Sequence, residues 1–243
     1  MNVPPPQPLS VNTPAGSLAG LLHLPERIPA PAVVCCHGML SSKDSRKFAY
    51  IGEQLVQRGV AVLRFDFSGC GQSRIQPVDS LLSSRLRDLH AVLEYVQRQM
   101  WSDGRMGLVG SSLGGYLSLL ALAARRYALD AVVCWATPFD LSGIEAAMEA
   151  SSQLGAFFPA GFGLGAPVNL ADLELIQGVL LIHGEQDETV PWTDALHIYQ
   201  RAEEPKRLFL VREAEHRFLQ PSCRMIALKA SIDWLRERGL IVL

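Results

Sequence analysis

In the stretch Gly110-Ser111-Ser112-Leu113-Gly114 a serine is flanked two positions away by glycine on each side. It follows the apolar run Met106–Val109 and precedes the apolar stretch Leu113–Ala124. A serine on so sharp a strand-to-helix turn has a strained backbone, and its neighbours two positions away must lack bulky side chains; that is the use of Gly110 and Gly114. The turn aims the Ser112 hydroxyl outward and sets the Leu113 amide at a helix N-terminus, where it can stabilise an oxyanion. A plainer alternative is that the glycines only permit tight strand–helix packing. Dinucleotide binding fits less well, because the glycines run G-x-x-x-G-G rather than G-x-G-x-x-G and no P-loop lysine follows.

A hydroxyl is a weak nucleophile at neutral pH, so a base must take its proton and a third group must fix that base's tautomer. Of the six histidines, His216 follows the expected strand Arg207–Val211 and precedes the last helix, which puts it at the carboxyl edge of a doubly wound sheet, where ligands bind. The others have structural explanations. His37 and His183 each precede a glycine at a strand end, His90 and His197 fall in helical patterns, and His23 lies near an edge strand. Asp187 fits as the third group because it stands in the turn after Val179–Ile182. Asp140, after the preceding strand, competes with it, whereas Glu185 and Glu188 read as solvated neighbours. A second oxyanion donor is expected in His37-Gly38-Met39-Leu40, where glycine lets the Met39 amide turn inward; an ordinary strand-ending turn is the alternative. Phe65 to Ser73 reads as a structural turn in which Asp66 and Ser68 bond to backbone amides, with no base or metal partner evident for Cys70.

Short β-branched runs must hold these residues. Strands are expected at Leu18–Leu22, Ala32–Cys36, Val60–Phe65, Met106–Val109, Ala131–Trp135, Val179–Ile182 and Arg207–Val211. The middle ones lack alternation, as strands buried on both faces do. Helical stripes recur at Phe48, Ile51 and Leu55, ending at Gly59, and at Leu86, Leu89, Leu93 and Val96. A last helix runs from about Pro221 to Arg238, with Gly239 past its end. The expectation is an α/β fold, a doubly wound and mostly parallel sheet, in one domain over 1–243. Residues 138–178 are too long for a simple connection and carry the glycine-rich apolar run 155–163, so they read as a small lid inserted between two strands.

Composition sets outer limits. In 243 residues, 49% hydrophobic and 19% charged side chains are globular usage. A net charge of −2 gives no electrostatic case for nucleic acid or an anionic membrane. Five cysteines, an odd number with no zinc-type spacing, fit a reducing cytosol and no metal site. Met1 to Pro8 lacks the features of a signal peptide, and no apolar run approaches the roughly 18 residues of a membrane span.

Together His37-Gly38, Asp66-Phe67-Ser68-Gly69-Cys70-Gly71-Gln72-Ser73, Gly110 to Gly115, His183-Gly184-x-x-Asp187 and His216 resemble the α/β-hydrolase superfamily from about Leu9 onward. The likeness is greatest to small carboxylesterases and feruloyl or cinnamoyl esterases. The resemblance implies a Ser112–His216–Asp187 triad, an oxyanion hole of the Met39 and Leu113 amides, no cofactor, and acyl-enzyme chemistry on a small-molecule ester. Serine at 112 argues against the dehalogenase and epoxide-hydrolase branches, which place aspartate there, and against dienelactone hydrolases, which place cysteine. Ser111 stands where many esterases have histidine. Three other readings stay open: an aminopeptidase, for which Asp140, Glu145 and Glu149 could hold the substrate amine, an acyl thioesterase, and a catalytically silent ligand-binding module. The resemblance leaves the oligomeric state undetermined.

Overall fold

In the computed structural model, residues 4–73, 75–143, 163–165, 170 and 176–241 are described. Eight strands form one sheet: β1 (Gln7–Thr13), β2 (Gly16–His23), β3 (Ala30–Cys36), β4 (Ala61–Phe65), β5 (Ser102–Ser111), β6 (Ala131–Trp135), β7 (Val179–Gly184) and β8 (Lys206–Val211). Their order across the sheet is β1-β2-β4-β3-β5-β6-β7-β8. Only the β1–β2 and β2–β4 pairs are antiparallel, and every pair from β4 to β8 is parallel. The chain leaves β3 to one side for β4 and returns to its other side for β5, so the topological switch lies between the ends of β3 and β5.

Every residue of β3, β4, β6 and β7 is buried, which is why these strands read as unbroken apolar runs. The period of two divides their side chains between two cores. Val34, Leu63, Leu108, Val132 and Leu181 face one core, under α2 (Leu81–Gln97), α3 (Leu113–Ala123) and α4 (Thr193–Arg201). Val33, Val62, Val109, Val133 and Ile182 face the other, under α1 (Arg46–Val56) and α5 (Pro221–Glu237).

Helix boundaries follow local chemistry. Gly59, at φ +79°, takes the left-handed conformation that ends α1, and the Val60 amide returns to the Leu55 carbonyl at 3.2 Å. The Ser80 hydroxyl caps α2 by accepting from the Ser83 amide. Pro221 opens α5 and Gly239, at φ +78°, stands beyond its end.

Two differences from the sequence reading concern the edges. β1 was not expected; it is the exposed outer strand, and only Val11 in it is buried. β5 runs longer at both ends, since Gly110 and Ser111 continue the ladder opposite Cys134 and Trp135. In the segment expected to form a lid, residues 144–162, 166–169 and 171–175 lie outside the described residues. Gly163 and Leu164 accept backbone hydrogen bonds from Leu81 and Leu82 at the start of α2. Among the described residues no helix is long and apolar enough to cross a membrane, and all five cysteines are free.

Candidate active site

Ser112 sits between the last residue of β5 and the first of α3 with φ 55° and ψ −127°, a region costly for a residue with a Cβ. Contacts on both sides enforce it. The Ser112 amide donates to the Trp135 carbonyl at 2.8 Å, while its own carbonyl accepts from Gly115 and Tyr116 in the first turn of α3. A Cβ on Gly110 would lie 2.6 Å from the Gly115 nitrogen, and one on Gly114 would strike the backbone of Cys36 and His37. Glycine at 110 therefore lets β5 meet the start of α3, and glycine at 114 lets α3 press against the end of β3.

Across the sheet edge, the loop after β8 carries His216, and its Nδ1 lies 2.8 Å from Asp187 Oδ2, in the turn after β7. The Asp187 side chain is wholly buried, and that of His216 is 18% exposed. Each carboxylate oxygen is occupied. Oδ1 accepts the Thr189 and Val190 amides at 2.9 and 2.8 Å, and Oδ2 also faces His183 Nε2 at 3.2 Å. Burial alone would raise the Asp187 pKa, but the hydrogen bonds from His183, His216 and Val190 outweigh it and hold the carboxyl well below its ordinary range. A carboxylate fixed in this way orients the ring with Nδ1–H toward Asp187 and leaves Nε2 as the acceptor. Ser112 and His216 line the same cleft, of about 1060 Å³. The hydroxyl and the ring do not hydrogen-bond in this structure; in unliganded sites such bonds often tighten only when substrate binds.

The loop after β3 closes over Ser112 from the other side. A Cβ on Gly38 would lie 3.3 Å from Ser112 Cβ. Neither the Met39 nor the Leu113 amide has a hydrogen-bond acceptor among the described residues, so both remain free to donate. What holds the loop is Arg85, fully buried on α2. Its guanidinium donates to the carbonyls of Met39 and Gly38 at 2.8 and 3.3 Å and lies over the Phe67 ring. The sequence reading missed Arg85. The available signal was its place four residues from both Leu81 and Leu89, on the apolar face of α2, where an arginine without partners would be costly.

His37 behaves as a strand-end histidine. Its Nε2 accepts the Phe67 amide at 3.1 Å, so the proton sits on Nδ1 and is given to the Gly38 carbonyl. Burial, reinforced by Arg85 and Lys43, pulls its pKa down to about 3. Asp140 is exposed and accepts from Ser142, so it is not brought to His216. Asp66 does bond a turn amide, that of Gln72 at 2.8 Å, but its main partner is Lys43, at 3.0 Å. Ser68 differs from expectation: its amide and hydroxyl both donate to Asp88 on α2 instead of closing the turn. Among the described residues no group of three His, Cys, Asp or Glu side chains could hold a metal ion.

With this geometry in hand, comparison with known proteins gives consistent results. A family model described as serine aminopeptidase, S33 (Hydrolase_4) matches residues 27–161, more than half of the chain. YfhR of Salmonella typhi is 31% identical over 175 residues, covering 67% of this chain and 56% of that protein, so the chain spans little more than half the length of this relative. The mitochondrial palmitoyl-protein thioesterase ABHD10 of Rattus norvegicus is 26% identical over 230 residues, covering 86% of this chain and 76% of that one. Among solved structures, the ferulic-acid-bound Est1E of Butyrivibrio proteoclasticus superimposes with a TM-score of 0.77 at 21% identity, covering 95% of this chain and 99% of the other; at that identity it speaks for the fold.

Proposed function

From the premise that the chain belongs to the serine aminopeptidase S33 family of α/β-hydrolases, and is therefore a serine hydrolase, we propose that it cleaves carboxylic esters of small to medium acyl groups through an acyl-enzyme on Ser112. In this reading His216 Nε2 takes the Ser112 proton as the hydroxyl oxygen attacks the carbonyl carbon, and Asp187 stabilises the imidazolium through Nδ1. The carbonyl oxygen, now an anion, is held by the Met39 and Leu113 amides. When the carbon–oxygen bond to the alcohol breaks, His216 returns its proton to the departing oxygen. Water, activated by the same ring, then attacks the acyl carbon and frees Ser112.

The observation that carries this reading is the His216–Asp187 hydrogen bond at 2.8 Å, on a ring that opens into the same cleft as the strained Ser112. Among the described residues one carboxylate, Asp44, lines the cleft, and it is paired with Lys43; Glu145 and Glu149 lie outside the described residues. An acyl thioester is the second reading, supported by the likeness to ABHD10. The test is hydrolysis of 4-nitrophenyl butyrate and of butyryl thiocholine by the wild type and by Ser112→Ala. The ester should be cleaved faster, and the variant should be folded and inactive. A fully active Ser112→Ala would overturn the assignment, and a faster thioester would favour the second reading.

A further inference from the structure

Four cationic side chains line the cleft: Arg46, Lys47, Arg217 and Arg224. Among the described residues none of them forms an ion pair with a carboxylate. Lys47 reaches in from the first turn of α1, its Nζ 5.9 Å from the ring centres of both Trp135 and Phe218, and donates to the Ser111 hydroxyl at 2.7 Å. That hydroxyl belongs to the residue directly before Ser112. Glu215 and Asp187 attract this ammonium without pairing with it, while Arg217 and Arg224 repel it. Arg224 itself makes only long bonds, 3.4 Å, to the carbonyls of Phe218 and Leu219.

The nearby carboxylates do not reach the ammonium as ion-pair partners. Glu215 accepts the amides of Arg217 and Leu219, and all the oxygens of Asp187 are filled as described above. Drawing the Lys47 ammonium out of water without an ion-pair partner is unfavourable, because burial outweighs the attraction of Glu215 and Asp187. Stability alone gives no reason to keep it, whereas an incoming anion would neutralise it. Of the three protons on Lys47 Nζ, one is spent on Ser111 and two remain for a ligand.

We propose that Lys47, backed by Arg217 and Arg224, is an anion-binding subsite of the cleft, and that the preferred ester carries a carboxylate within reach of Ser112. This rests on the reading of Ser112 as the ester-cleaving nucleophile, and it makes Lys47 a specificity-determining residue. The carboxylate bonds to Lys47 in substrate and transition state alike, so its effect falls on KM.

The experiment compares 4-nitrophenyl hydrogen adipate with 4-nitrophenyl hexanoate for a charge on the acyl side, and 4-acetoxybenzoate with its methyl ester for a charge on the alcohol side. In at least one pair the anion should be favoured by tenfold or more in kcat/KM, mostly through KM. The preference should shrink as ionic strength rises from about 0.01 M to about 1 M, over which the screening length falls from roughly 30 to 3 Å. Lys47→Gln should cut the charged-to-neutral ratio at least tenfold and Lys47→Arg should keep most of it. Arg217→Gln, at an exposed position that does not threaten folding, should cut it by a smaller factor. No anion preference in either pair, or a ratio untouched by Lys47→Gln in a protein that melts like the wild type, overturns the subsite. If the wild type cleaves none of the four esters, the ester-hydrolase reading fails by itself. Calorimetric titration with adipate against hexanamide then decides the subsite: binding of adipate that weakens at least fivefold in Lys47→Gln supports it, and absence of adipate binding overturns it.

Discussion

Lys43 and Lys47 stand four residues apart at the same end of the sheet, and the fold treats them in opposite ways. Lys43 is 2% exposed, its ammonium lies 3.0 Å from both Asp66 and Asp44, and its own amide donates to Asp66 Oδ1. Burial alone would lower its pKa, but those hydrogen bonds with Asp66 and Asp44 reverse the sign and raise it. Lys47 is also drawn out of water, yet only a hydroxyl meets it; burial, opposed by Glu215 and Asp187 and aided by Arg217 and Arg224, pulls its pKa down to about 8. The first lysine ties the turn after β4 to the loop before α1, as a structural charge should be tied. Among the described residues the second forms no ion pair, at the edge of a cleft.

The strongest test of this contrast is on the paired side, where charges are matched and every oxygen is filled. Asp187→Asn keeps the shape but turns one acceptor into a donor facing His216 Nδ1, so the ring must take the wrong tautomer. We expect kcat to fall by about 10,000-fold, roughly 5 kcal/mol of barrier, with an unchanged fold by circular dichroism. Asp66→Asn leaves the buried Lys43 ammonium without its main partner and should cost about 3–5 kcal/mol in urea unfolding. Lys47→Gln, in contrast, should cost no stability and should raise it near neutral pH, because it removes an ammonium that burial disfavours. Similar losses in these two variants would erase the distinction.

Smaller effects sharpen it. Arg85→Met frees the Gly38 and Met39 carbonyls, so the loop that presents the Met39 amide loosens. Steady-state kinetics should show kcat down by about ten- to a hundredfold with KM little changed, a loss of one part of an oxyanion site. The mildest effect concerns pH. The Lys47 ammonium loses its proton through about pH 8, so the charged-to-neutral ester ratio should hold below pH 7 and decline through pH 8 to 9. Its folded pKa lies below the unfolded value of about 10.4, so the unfolded chain binds more protons between these limits. This lysine should therefore make folding stability rise, not fall, between about pH 8 and pH 10, and Lys47→Gln should abolish that rise.

Much of this architecture was legible because its causes are local. Strands buried on both faces must be apolar throughout, so β3, β4, β6 and β7 announce themselves, as does the turn at Ser112 through the glycines that its close approach demands. β1 stayed hidden because an edge strand buries one residue, Val11, and needs no pattern to do so. The site divides in the same way. Ser112, Asp187 and His216 are each marked by a strand end. The importance of Arg85 and Lys47 depends on partners 46 and 64 residues away, a backbone carbonyl and a hydroxyl, and nothing in a linear sequence joins them. His183, at a strand end before a glycine, bonds to the Val190 carbonyl at 3.0 Å; its second contact, with Asp187 Oδ2, arises only because the turn after β7 folds back on it.

The central claim is that one hydroxyl, at position 112, becomes covalently acylated during turnover. Acid-quenching the wild type with 4-nitrophenyl butyrate in the first moments of reaction and mapping the butyryl group by peptide mass spectrometry tests it directly. The account predicts a burst of nitrophenol matched by a single butyrylated residue, Ser112. Turnover with the acyl group on another side chain, or with no acylated peptide at any time in the presence of a burst, would contradict it.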